Sequence, residues 1–310
     1  MDIQEKILNI GIVKAIINFS KKVSLPGFSK IPLYNVAVFF IHGIKNGALT
    51  TRASSMAFKF FLAIFPGIIF LFTLIPYIPI DNFQNELIAT IEKLLPQNAY
   101  ELTVQTIDDI VNQKQGSILS LNFFIAIYFA TNGVNSMIQE FNNSLNVTHR
   151  RNMFKQRIAS TLLAFGIVLM LIIAVGVLIY SRLLIETIDS KINVNDTWNS
   201  LFIEAGTSIT LLLLFFFTIS SIYYFGPSRK EKWTFVSPGS TLAALLTFTT
   251  SYAFSYYVTN FSNYNKLYGS IGTLIVIMLW IYFNSLMLLI GFELNASLKS
   301  AKNEIQDAID

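Results

Sequence analysis

SSMAFKFFLAIFPGIIFLFTLIPYIPI, residues 54–80, is the stretch on which the reading of this chain turns. It is apolar over more than the roughly 20 residues a helix needs to cross about 30 Å of hydrocarbon. Yet it carries Lys59 in its first turns and prolines at Pro66, Pro76 and Pro79. Only a helix finds a place there, because no water is available to satisfy an open backbone. The rest of the chain has the same character. Of its 310 residues 53% are hydrophobic and 13% charged, about half the charge that soluble domains carry. The apolar residues gather in blocks rather than at core-facing spacing, so the expected fold class is all-α: a polytopic membrane protein.

Six blocks stand out, near 55–78, 117–138, 158–181, 205–225, 237–258 and 271–293. Their connections alternate in charge. Lys6, Lys14, Lys21, Lys22, Lys30, Lys45 and Arg52 precede the first block. Arg150, Arg151, Lys155 and Arg157 fall in the second connection, and Arg229, Lys230 and Lys232 in the fourth. The other connections are poorer in Lys and Arg, and the first is acidic. Basic loops stay cytoplasmic, so both termini are expected on the cytoplasmic side of the membrane. The same rule accounts for the net charge of +4 without nucleic acid. The first 20 residues hold Asp2, Glu5, Lys6 and Lys14, a pattern that does not read as a cleavable signal. With no cysteine, disulfides, thiolate catalysis and cysteine-ligated metals are excluded.

The expected organisation is a cytoplasmic and interfacial segment over 1–52, a six-span domain over 53–298 and a cytoplasmic tail over 299–310. FQNELIATIEKLL and AYELTVQTIDDIV, on either side of Pro96, read as two amphipathic outer helices within a periplasmic insert at 80–116. LYNVAVFFIHGIKNG is too short to span and reads as a helix lying in the inner interface.

Two readings of Lys59 are open. About two turns above the inner boundary, its stem can snorkel back to the headgroups, or it can pair with Glu293 at similar depth in the sixth span. Pro66 lies mid-span and is expected to kink its helix, whereas Pro76 and Pro79 stop it. Pro238–Gly239 marks a helix start or hinge.

Span two carries a polar stripe. Tyr128, Asn132, Asn135, Gln139 and Asn142 recur at three- and four-residue spacing and so share one helical face. Amides in lipid are costly, which leaves interhelical bonding or a cytoplasm-facing cavity as their use. In the last span Asn284 is a lone amide. Catalytic signals are thin: His42 and His149 are the only histidines, and neither a zinc-type cluster nor a phosphate loop is present.

Three stretches carry a family resemblance: RASSMAFKFFLAIFP at 52–66, ATNGVNSMIQEFNNSLNVTHRRNMFKQR at 130–157, and YYFGPSRKEKWTFVSPGSTLAA followed by YNKLYGSIGTLIVIMLWIYFNSLMLLIGFELNASL. Together these resemble the YihY/BrkB family of bacterial inner-membrane proteins over about residues 35–298. Pro66, Asn135, Asn143, Arg151, Pro227, Pro238, Gly239, Tyr268, Gly269, Gly291, Glu293 and Asn295 stand at matching positions; Lys59 does not. The resemblance implies a six-helix membrane protein whose activity is unsettled. Some members have carried the label ribonuclease BN, and others are linked to envelope lipid biology. The expected function is transport or translocation of a lipid or amphipathic anion. Asn132, Asn135, Gln139 and Glu293 would line the cavity, and Arg150, Arg151 and Arg229 would attract the anion. A non-transporting envelope-assembly factor is the alternative, and a tRNA nuclease comes last. No cofactor, no metal and no nucleic acid are expected. Membrane lipids, anionic ones included, are the expected partners, and self-association is allowed.

Overall fold

The computed structural model describes residues 31–46, 48–74, 116–145, 151–191, 196–228, 234–261 and 270–307, with short pieces at 18–21 and 23–24. Among them every regular element is a helix. In chain order these are α1 (Leu33–Asn46), α2 (Leu49–Leu74), α3 (Gly116–Ser144), α4 (Met153–Lys191), α5 (Asp196–Phe225), α6 (Pro238–Phe261) and α7 (Ser270–Asp307). The outer helices expected within 80–113 and most of the segment before residue 31 lie outside the described residues, as do Arg150, Arg229, Pro76 and Pro79.

Alternate helices run in opposite directions, as the placing of the core shows. One buried cluster takes Leu49, Ala53 and Met56 from the start of α2, Val134 to Phe141 from the later part of α3, and Leu163 and Ala164 from early α4. To these it adds Ile219 to Tyr223 from the end of α5, Ala243 and Ala244 from the start of α6, and Leu289 and Phe292 from late α7. First and last halves thus meet in turn at one end. Aromatic rings fill its centre: Phe141 stacks on Phe292 with centroids 4.2 Å apart, and Tyr223 meets both edge-on. The Tyr223 hydroxyl donates to the Leu288 carbonyl, which satisfies the polar handle of an otherwise buried ring.

Away from this core the surface is apolar. Leu162, Phe165, Leu169, Leu171 and Ile172 on α4 are exposed, as are Ile209, Leu213 and Phe217 on α5. An apolar surface of that extent marks contact with something other than water. Three described segments, Met153–Ala174, Ala205–Phe225 and Leu274–Glu304, are long and apolar enough to cross a membrane.

Local signals set the ends and crossings of the helices. Ser237 precedes Pro238, and Ser237 and Ser240 exchange backbone-to-hydroxyl bonds of 3.1 Å in each direction. That reciprocal cap, with Pro at the first helical position, starts α6. Of the two readings of Pro238–Gly239, helix start or hinge, the pair stands at a helix start. Pro66 lies inside α2. Ala48 adopts a left-handed φ of 44° in the short turn between α1, which packs against α7, and the start of α2. Gly239 and Gly291 let α6 and α7 touch: a Cβ on Gly239 would lie 2.2 Å from the Gly291 carbonyl oxygen, and one on Gly291 would lie 2.5 Å from Ala243 Cβ.

Candidate functional site

The amide stripe of α3 divides between two uses. Asn135 Oδ1 accepts from Gln156 Nε2 at 3.1 Å and from Ser160 Oγ at 3.3 Å. Asn142 accepts from the Ser228 backbone N–H at 2.7 Å and donates to Ser228 Oγ, which in turn donates to Gln156 Oε1. Asn132 accepts from Arg157, whose guanidinium lies 5.0 Å from the Tyr128 ring centroid. These bonds tie α3 to α4 and to the loop after α5. Gln139 is exposed. The face read from spacing is thus largely an interhelical seam, and it does not meet Glu293. Asn284, the lone amide of the apolar block at 271–293, likewise accepts from Ser251 of α6 at 3.2 Å.

Arg151 is engaged at the same seam. Its guanidinium donates to the carbonyls of Phe225, Gly226 and Pro227 at 2.8–3.2 Å, capping the end of α5, whose last carbonyls have no intrahelical partner. Desolvation by burial lowers its pKa from the usual arginine value. A guanidinium held on three carbonyls serves as a structural cap.

Lys59 does not pair with Glu293. Its ammonium donates to Ser136 Oγ on α3 at 2.9 Å, because α2 packs along α3, which presents that hydroxyl about one turn from Glu140. Glu293 instead faces Arg52 of α2, with Nη1 4.0 Å from Oε2.

Arg52 is the hub of the second polar region. Its Nε donates to Glu140 Oε2 at 2.9 Å, and its Nη2 donates to Ser144 Oγ at 2.7 Å and to the Glu140 carbonyl. Asn143 also donates to Glu140 Oε2, at 3.0 Å. Glu140 is thereby the principal partner of Arg52, and Glu293 is held more loosely. Glu293 is 7% exposed, and its Oε2 has no hydrogen-bond partner. Its other oxygen is covered by the backbone of α1, since a Cβ on Gly43 would stand 2.2 Å from Oε1. A buried carboxylate in this state is costly.

Arg52, Asn143, Ser144 and Glu293 line a polar cavity of about 290 Å³ between α1, α2, the end of α3 and late α7. Its wall includes His42, Arg52, Asn143, Glu293, Ser297 and Ser300. Sequence reading had singled out Glu293 but missed Arg52, Glu140 and His42 as its neighbours. The available signal was the isolation of single charges in apolar helices: Glu140 is the one charged residue of α3, and intramembrane charges mark function or pairing. No group of three or more His, Asp or Glu side chains able to hold a metal ion occurs among the described residues.

An all-helical bundle with an apolar exterior and a charged cavity at one end defines a membrane protein. The chain belongs to the family described as Virulence factor BrkB, whose profile matches residues 40–309. Its relatives include the ribonuclease-like protein YfkH of Bacillus subtilis (strain 168), 30% identical over 81% of this chain and 90% of its own length. The UPF0761 membrane protein NTHI0384 of Haemophilus influenzae (strain 86-028NP) is 24% identical over 89% of this chain and 99% of its own. The UPF0761 membrane protein MS0032 of Mannheimia succiniciproducens is 27% identical over 84% and 88% respectively. No solved structure matches the chain.

Proposed function

We propose that this protein is a six-span transporter of the bacterial inner membrane, with both termini cytoplasmic and the Arg52–Glu293 cavity as its cytoplasm-facing site. The observation that carries the reading is Glu293: a carboxylate 7% exposed, one oxygen without a hydrogen-bond partner, on the wall of a polar cavity. A group of that kind is retained in an apolar helix for a ligand or for pairing, and Arg52 is bonded to Glu140 at 2.9 Å while it stands 4.0 Å from Glu293. The up-and-down order of α2 to α7 supports six crossings. Arg52, Arg151, Lys155, Arg157, Lys299 and Lys302 all belong to the end that holds the core, which supports the cytoplasmic assignment.

The absence of cysteine makes a direct experiment available. Ser297→Cys and Ser300→Cys would each carry the only thiol in the chain. A membrane-impermeant maleimide should label them from the cytoplasmic side and not from the outer side, and labelling should block flux in reconstituted vesicles. Labelling from outside only, or vesicles passing none of a panel of cations, anions and amines, refutes the reading.

Translocation of a lipid is the second reading, favoured by a cleft of about 440 Å³ between α4 and α5. Leu162, Gly166, Met170 and Ile222 line it, an apolar wall suited to an acyl chain. Scrambling of a fluorescent phospholipid by reconstituted protein, with no solute flux, would favour this reading over the first.

A further inference from the structure

We infer that the Glu293 cavity is a site for a monovalent cation, either an alkali ion or a primary ammonium group. Glu293 Oε2 is its charged ligand, and the hydroxyl oxygens of Ser297 and Ser300 are neutral ones. This names a substrate or coupling-ion class for the transport site, and in that respect it rests on the transport reading.

The sign of the ligand follows from where the protons in the cavity are already committed. Ser297 Oγ donates to the Glu293 carbonyl at 2.7 Å, and Ser300 Oγ donates to the Ala296 carbonyl at 3.2 Å. A hydroxyl carries one donor and two acceptor lone pairs, so both serines have only lone pairs left to offer the cavity. Arg52 is the positive group on the wall, and its Nε and Nη2 are committed to Glu140 and Ser144. Two carboxylates, Glu140 and Glu293, stand against that one guanidinium, with Glu140 in contact at 2.9 Å and Glu293 at 4.0 Å. Glu293 is the less closely matched of the two carboxylates, and its Oε2 has no hydrogen-bond partner. His42 also faces the space.

Charge count and size narrow the class. Oxygen donors suit hard cations, and divalent hard cations draw on several oxygens, more than one carboxylate among them in tight sites. Here a single loosely held carboxylate supplies the negative charge, which matches one positive charge. The cavity of about 290 Å³ has room for an ion that keeps several waters, at about 30 Å³ per water in the liquid, or for a small alkylammonium.

The test uses the purified full chain in detergent at constant ionic strength. Sodium chloride and methylammonium chloride are titrated separately against N-methylglucamine chloride. Modification of Glu293 by dicyclohexylcarbodiimide is read by peptide mass spectrometry, together with the thermal midpoint. The expected result is saturable protection of Glu293 and a saturable rise in midpoint with one of the two small cations. Which of them acts identifies the source. Ser297→Ala should shift the half-saturating concentration upward several-fold, and Glu293→Gln should abolish the thermal response. Should Glu293→Gln fail to fold, protection of the wild-type carboxylate and the Ser297→Ala shift still decide. Equal modification at all concentrations of both cations overturns the proposal, as does an unchanged response in Ser297→Ala and Glu293→Gln together. Saturable protection without flux in vesicles keeps the cation site and removes transport. Anion flux indifferent to both cations, with no protection, does the reverse.

Discussion

Replacing Gly291 by alanine tests the packing that holds the end of the bundle together. The added Cβ would lie 2.5 Å from Ala243 Cβ, 2.6 Å from the Gly239 carbonyl oxygen and 2.9 Å from the Tyr223 hydroxyl. Ordinary carbon–carbon contact is about 3.5–4.0 Å, so α6 and α7 must separate by roughly 1 Å where they cross. Two of the three obstacles cannot swing aside: a backbone carbonyl, and the methyl of an alanine that is itself fully buried. Separation also strains the bond from the Gly239 N–H to Asn295 Oδ1, which is 2.8 Å long and buried. Overpacking of this kind costs about 1–3 kcal/mol, offset by about 0.5–1 kcal/mol gained when glycine leaves a helix interior. Because backbone is involved, the overpacking cost falls toward the upper part of that range, about 2–3 kcal/mol, and the net expectation is a loss of roughly 1–2.5 kcal/mol. Gly239→Ala should behave in the same way, its Cβ meeting the Gly291 carbonyl oxygen at 2.2 Å and Asn295 at 2.5 Å. Gly166→Ala is the control, since a Cβ there meets nothing within 4 Å; it should leave stability unchanged or raise it slightly. Thermal midpoints in detergent, followed by intrinsic fluorescence, would compare the three. If Gly291→Ala and Gly239→Ala are as stable as Gly166→Ala, the close crossing of α6 on α7 is wrong.

Arg52→Gln leaves Glu140 and Glu293 without their shared cation and should destabilise by about 3–5 kcal/mol, the cost of orphaning buried charge; loss of folded protein in size-exclusion chromatography or a large fall in midpoint would show it. Lys59→Met should cost less than about 1 kcal/mol, because it removes one bond, to Ser136 Oγ, from a side chain whose stem is only part-buried; a greater loss would mean that Lys59 holds a charge partner. Asn142→Ala strands the Ser228 N–H and should cost about 1–3 kcal/mol, whereas Gln139→Ala, at an exposed position of the same helix, should be neutral by the same measurement.

Much of the architecture is legible along the chain, because a lipid solvent demands runs of about 20 apolar residues and punishes charge within them. The described helices α2 to α7 fall on the six apolar blocks, and α6 begins at the Pro238–Gly239 pair, which the residues alone left open as a start or a hinge. The polar residues were harder to place. Spacing puts Asn132, Asn135 and Asn142 on one face of α3, but it does not say which helix that face meets. Gln156 and Ser160 of α4 turn out to supply the partners. The same limit applied to Arg151. A basic residue beside a span reads as surface charge, and only the approach of the α5 terminus turns it into a cap.

The linear order of residues determined that this is a helical membrane protein, where its helices lie and the family to which it belongs. Hydrophobicity and backbone hydrogen bonding act over one or two turns, so those properties can be read locally. Tertiary structure alone decided the charge partners. Arg52, Glu140 and Glu293 are far apart along the chain, and they meet because Gly43 lets α1 cover one carboxylate oxygen while α2 packs against both α3 and α7. A charge has no directional signature in sequence; its partner is whichever helix the packing brings within reach.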